Sequence, residues 1–245
     1  MSKHLLPEPS RRTLLKRTAA VSALAITGIA GITLPSVAFS AAMTKEERDK
    51  MTPDEIIDSF KKGNIRFREG KMQQHDYVAQ KQASQHGQFP AAVILSCIDS
   101  RAPAEILLDV GIGETFNARV AGNIQNTDIL GSMEFACAVA GAKVVLVMGH
   151  TACGAVKGAI DHAELGNLTS LLHKIKPAID KTEYKGERTG SNYDFVDAVA
   201  KTNVQMTIED IRKNSPVLKK LEDEGKIKIV GSMYHLNGGR VEFLA

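Results

Sequence analysis

Only three cysteines, Cys97, Cys137 and Cys153, occur in the 245 residues. So few, and an odd number, exclude a disulfide framework and leave metal ligation as the better use for some of them. Long apolar runs are scarce as well. Beyond residue 40 no segment stays apolar long enough to cross a bilayer, which excludes a polytopic membrane protein. Repeats and low-complexity tracts are missing, so nothing points to a repeat array.

Excess charge is also lacking, although the whole chain reads as basic, with a formal net charge of +3. Residues 1–40 carry five of the 31 Lys and Arg and one of the 28 Asp and Glu; without them 26 basic and 27 acidic residues remain, a net charge of about −1. That balance removes the argument for a nucleic-acid partner.

The same forty residues read as an export signal. Ser10-Arg11-Arg12-Thr13-Leu14-Leu15-Lys16 is a basic start, Thr18 to Leu34 is mildly apolar, and small residues cluster after Pro35. The paired arginines resemble the twin-arginine type of bacterial signal, with Leu14 where that pattern often has Phe. Cleavage is expected after Ser40 or Ala42, and the destination is the periplasm, reached through the twin-arginine export machinery. A retained membrane anchor is the alternative, since the apolar stretch is nearly long enough to span.

The remaining residues, 41–245, suit one domain. A charged arm leads to Thr52-Pro53-Asp54-Glu55, a helix start with a cap, a first-turn proline and a capping box. Ala91–Ser96 and Lys143–Met148 are short continuous apolar runs of the kind that form buried parallel strands. Further strands are predicted over 114–120 and 226–234, with Asn237-Gly238 turning the chain back over 240–244 as a hairpin. Helices are predicted between them, including 127–141, 153–163, 167–180 and 192–213, while 70–88 reads as a loop or a short helix. The pattern predicts an α/β fold: a mainly parallel central sheet flanked by helices, with an N-terminal helical arm and a C-terminal hairpin.

Two motifs stand just past the two clearest strands. One is Ser96-Cys97-Ile98-Asp99-Ser100-Arg101; the other is Gly149-His150-Thr151-Ala152-Cys153-Gly154. Strand ends in a parallel sheet share one edge, so residues 97 and 150 can meet. Cys97, His150 and Cys153 make a sound zinc set. Three protein ligands leave the fourth tetrahedral position open, which marks a catalytic site rather than a structural one. Each residue alone would read as a buried small hydrophobe or a hydrogen-bonded histidine, and Cys137, beside Phe135 and Ala136 on a helix, is read that way. Asp99, two residues past a ligand, can face the open position. Arg101 can hold its carboxylate through a bidentate pair and keep it ionised.

These two motifs resemble the signature of the β-class carbonic anhydrases. So do Gly63-Asn64-Ile65-Arg66-Phe67, Arg119-Val120-Ala121-Gly122-Asn123, Ser132-Met133-Glu134-Phe135-Ala136 and Gly231-x-x-Tyr234-x-Leu236-x-x-Gly239. The resemblance implies one zinc per chain on Cys97, His150 and Cys153. It implies an Asp99–Arg101 catalytic dyad and reversible hydration of carbon dioxide to bicarbonate and a proton. It also implies a substrate pocket with Gln88, Phe116, Ala121, Gly122 and Phe135, whose side chains reach across an interface, so the active unit is a homodimer or higher homo-oligomer. Phe135 stands where many members have Tyr, and Ala121 where some have Val. Some members bind regulatory bicarbonate through a Trp; this chain has none. No proton shuttle is legible; His75, His86, His162 and His173 are candidates by type alone. Two alternatives stay open: a hydrolase of carbon disulfide or carbonyl sulfide on the same scaffold, and a zinc-binding protein without turnover, with Asp99 as a possible fourth ligand.

Overall fold

The structure is a computed structural model in which residues 42–244 are described; the export signal expected at residues 1–40 lies outside them. A charged arm, α1 (Lys45–Lys50), and helix α2 (Pro53–Arg68) each begin on a complete capping box, at Thr44 and Thr52. The apolar spacing of Ile56, Ile57 and Phe60 buries one side of α2. Full burial of side chains of this size stabilises by roughly 1.5–3 kcal/mol each. Gly63 lets the helix press on the backbone: a Cβ there would stand 1.9 Å from the Leu108 carbonyl oxygen. Asn64 donates to the carbonyls of Leu107 and Gly239 and accepts from the amide of Val241, tying the helix to the C-terminal turn.

Five strands form one sheet in the order β2-β1-β3-β4-β5: β1 (Ala92–Ser96), β2 (Thr115–Arg119), β3 (Val144–His150), β4 (Lys228–Tyr234) and β5 (Val241–Phe243). All pairs are parallel except β4–β5, the antiparallel hairpin. The apolar runs in β1 and β3 are continuous because both faces of the sheet are covered. Val93, Leu95, Val145 and Val147 face the core that Phe195, Val196 and Val199 of the long helix α9 (Tyr193–Asn214) also enter. Ile94, Leu146 and Met148 face the core built with α2.

Smaller elements follow the expected order with differences that have local causes. The polar stretch 70–88 contains α3 (Tyr77–Ala83), capped by Asp76, and α4 (Ala104–Leu107) follows β1. The helix expected over 127–141 is α5 (Thr127–Glu134), continued by a wider π turn over Phe135–Val139 in which Ala140 donates to the carbonyl of Phe135. After α6 (Gly154–Ile160), the single helix expected over 167–180 is two, α7 (Gly166–His173) and α8 (Lys176–Lys181). Pro177 lacks an amide hydrogen and fits only the first turn of a new helix. The last helix is α10 (Pro216–Asp223). Among the described residues no helix is long and apolar enough to cross a membrane.

Candidate metal centre

Pairing of β1 with β3 sets Ser96 against Met148, so the chain leaves both strands at one edge of the sheet. Cys97 comes next after Ser96, His150 closes β3, and Cys153 is the residue before α6. Gly149 is required for this approach: a Cβ there would stand 2.6 Å from Val204 of α9. The donor atoms of Cys97, His150 and Cys153 lie within 4.8 Å of one another, and all three residues are buried.

The imidazole is set for a cation. Its Nδ1 lies 2.9 Å from the Thr151 carbonyl oxygen, which can only accept, so the proton belongs on Nδ1 and Nε2 presents a lone pair. Nε2 is buried and makes no hydrogen bond. A buried unpaired acceptor beside two sulfurs is costly without a partner, and two sulfurs with one imidazole suit zinc. The thiols agree. Hydrogen bonding from Cys153 holds the Cys97 thiol down at about 4; burial opposes this, and the amides of Gly122 and Asp99 add to it. Cys153 is raised, first by that pairing and then by burial. Cys137 differs: burial pushes it up to about 12, as befits a core thiol.

Asp99 and Arg101 form the expected pair. Arg101 Nε donates to Oδ1 at 3.0 Å, Nη2 to Oδ2 at 2.8 Å, and the Arg101 amide to Oδ1 at 2.9 Å. The guanidinium holds the Asp99 carboxyl down at about 2, well below the usual carboxylate range, so it is ionised at neutral pH.

Several further residues brace this arrangement. Arg119, at the end of β2, donates to the carbonyls of Cys97 and Asp99 and braces the loop that carries both. Gly122, at φ 70°, donates its amide to Cys97 Sγ at 3.3 Å, and Asn203 of α9 fixes the Gly122 carbonyl at 2.8 Å. Ala152, between two of the proposed ligands, has φ 53° and donates its amide to Asp197. Arg119 and Gly122 belong to a recognisable motif, but Asn203 and Asp197 come from a helix remote in sequence.

The expected pocket residues divide. Ala121 and Gly122 stand beside Cys97, in a short turn after β2. Phe116 and Phe135 meet edge to face, with ring centroids 6.1 Å apart, in a recess of about 760 Å³ that Val93 and Ile129 also line. The proposed zinc ligands do not line that recess. Gln88 is exposed before β1. Of the shuttle candidates, His75 is buried against Asp109, with Nε2 3.1 Å from Oδ1, which gives it a structural place. His86, His162 and His173 are exposed.

A family model described as carbonic anhydrase matches residues 92–241. The chain is 34% identical over 190 residues to the carbonic anhydrase of Mycolicibacterium smegmatis, spanning 75% of this chain and 89% of that one. Among solved structures it is similar to a β-carbonic anhydrase of Coccomyxa in complex with acetazolamide (TM-score 0.60, 22% identity, 66% of this chain and 75% of that one). It is also similar to a tetrameric β-carbonic anhydrase of Sordaria macrospora (TM-score 0.57, 23% identity, 67% and 89%).

Proposed function

The chain belongs to the β-class carbonic anhydrase family, and from that premise we propose that it catalyses reversible hydration of carbon dioxide, CO2 + H2O to bicarbonate and a proton, with one zinc held by Cys97 Sγ, His150 Nε2 and Cys153 Sγ. When bound, zinc supplies Lewis-acid activation of water, lowering its pKa from 15.7 to about 7. The observation that carries the reading is the Asp99 carboxylate, clamped by Arg101 with Oδ2 3.8 Å from His150 Nε2.

Each residue then has a task. Asp99, ionised, accepts a hydrogen from the attacking water and turns the oxygen lone pair toward the carbon. Arg101 fixes the carboxylate orientation and occupies both of its oxygens, so that Asp99 stays an acceptor and the fourth position stays open. Gly122 and Arg119 hold Cys97 and the Asp99 backbone in place. A zinc-binding protein without turnover leaves the clamp without a task, and no feature of the site favours carbon disulfide or carbonyl sulfide.

The active unit is a homodimer or larger assembly. β2 is an open edge of the sheet, and exposed apolar side chains flank it: Phe135 on one side, Ile106, Ile112 and Tyr77 on the other. Phe116 and Phe135 fit a role in the substrate pocket of a second copy, together with Gln88. Residues 1–40 act as a twin-arginine signal that delivers residues 41–245, as one domain, to the periplasm. Stopped-flow hydration of carbon dioxide by purified, zinc-analysed protein tests the reaction. Turnover no faster than the buffer blank would sink the enzymatic reading, and turnover of carbon disulfide or carbonyl sulfide alone would replace the substrate.

A further inference from the structure

We propose that Asp197 is a positioning residue for the metal centre, acting through Ala152 to set where Cys153 points. The proposal rests on the zinc reading above. His150 and Cys153 are separated by two residues, so the backbone of Thr151 and Ala152 decides whether an imidazole and a thiol can face one point. Thr151 is tied to β4 and the turn beyond it. Its amide donates to the Tyr234 carbonyl at 2.9 Å, and its Oγ1 accepts from the Leu236 amide at 3.0 Å. Ala152 reaches the other way, donating its amide to Asp197 Oδ1 at 2.7 Å. That distance suits a charge-assisted bond.

The bond matters because of the conformation it holds. Ala152 has φ 53°, the left-handed region that an L residue with a Cβ enters at a cost. Such a residue stays there only when its surroundings over-determine it. If it relaxed to the right-handed or extended region, the chain entering α6 would turn and Cys153 Sγ would leave its place beside Cys97. Asp197 is a firm anchor. Its neighbours Val196 and Val199 are fully buried, and the first turn of α9 is capped by Asn192. The carboxylate itself is partly buried, bordering a cavity of about 240 Å³ with Thr151, Lys201, His235 and Glu242. The hydrogen bond recorded for Asp197 goes to the Ala152 amide and not to a donor atom or to the Asp99–Arg101 pair, so the proposed effect is on ligand placement.

Groups that orient metal ligands from behind typically change metal affinity by 10–100-fold when removed. Three variants separate acceptance of the Ala152 amide from bulk packing: Asp197→Ala and Asp197→Leu remove the acceptor, and Asp197→Asn keeps an oxygen at the same place. The readouts are the zinc dissociation constant, from competition with a chelator, and the visible ligand-field spectrum of the cobalt(II)-substituted protein. Near-ultraviolet circular dichroism reports folding. Expected are 10–100-fold weaker zinc and altered cobalt bands in Asp197→Ala and Asp197→Leu, with Asp197→Asn within about threefold of wild type. Folded Asp197→Ala with wild-type affinity and bands overturns the proposal. Failure of both acceptor-free variants to fold also overturns it, because the residue would then support the domain as a whole. A wild-type protein that binds neither zinc nor cobalt through thiolates would instead remove the zinc reading.

Discussion

Asp99 faces His150 across 3.8 Å, Oδ2 to Nε2, without bonding to it. The gap persists because Arg101 already engages both carboxylate oxygens, and the loop backbone is pinned by Arg119. On the zinc reading proposed above, the carboxylate would stand beside the metal donors as a base, where a free one would be drawn in as a fourth ligand.

Breaking that arrangement should separate binding from turnover. Asp99→Asn and Arg101→Ala are expected to retain about one zinc per chain while losing 10²–10⁴-fold in kcat/KM for carbon dioxide, the usual weight of a positioned acid–base group. Metal analysis and stopped-flow assays on the same preparations check this. Wild-type turnover in both variants would reduce the pair to a loop clamp.

Removing a ligand should do the reverse. Cys153→Ser is expected to lose most of its zinc on dialysis, and with it activity, while the wild type loses both only on treatment with a strong chelator and regains them when zinc is restored. Full zinc content in Cys153→Ser would mean that the ion lies elsewhere.

Acid should reveal the Asp99–Arg101 pair in zinc-free protein. The folded state holds the carboxyl at about 2, against an ordinary 3.8. A depressed carboxyl stabilises fully above its unfolded pKa and loses that contribution as pH falls through the folded one. The stability difference between wild type and Asp99→Asn, measured by denaturant titration, is therefore expected to be constant near neutrality and to shrink from about pH 4 to pH 2. A difference unchanged over that window would show that the pair adds nothing to the fold.

Phe135 is half exposed and meets Phe116 edge-on. Phe135→Asp is expected to shift the protein toward smaller species in analytical ultracentrifugation and to lower turnover in parallel. A monodisperse wild-type monomer with full activity would end the proposal that a second copy completes the pocket.

Export is testable from the other end of the chain. Replacing residues 1–40 with a general secretory signal, which threads unfolded chains, should yield periplasmic protein that is zinc-poor or disulfide-linked, because three free thiols would meet an oxidising compartment. Normal zinc and turnover after the swap would show that the choice of route has no bearing on assembly.

The sheet and the proposed ligands were legible because their signals are local. Two continuous apolar runs betray strands covered on both faces, and each motif follows its strand directly. The Thr52 capping box and the Asn237-Gly238 turn are likewise short-range chemistry. What escaped depends on contacts between distant segments. Asn203 and Asp197 look like ordinary polar positions of a long helix until the fold brings one to Gly122 and the other to Ala152. The π turn at Phe135 interrupts a segment whose composition reads as uniform helix. His75 carries no mark of burial in a polar stretch, and its pairing with Asp109 comes from packing of the loop before β2. The break at Pro177 had a visible signal, a proline inside the helix expected over 167–180.

The strand order carries a consequence for the timing of assembly. Cys97 and His150 become neighbours only when β1 has found β3, a parallel pairing with β2 and α5 lying between them in sequence. Closing so long a loop costs chain entropy before any contact repays it, which makes such pairings slow. On the reading of Cys97, His150 and Cys153 as zinc ligands, a partly made chain ending before Cys153 lacks a complete set of donors, and an unpaired one cannot gather them. Capture of the ion would then come late, and a chain that retains zinc against a competitor would have already joined its central strands.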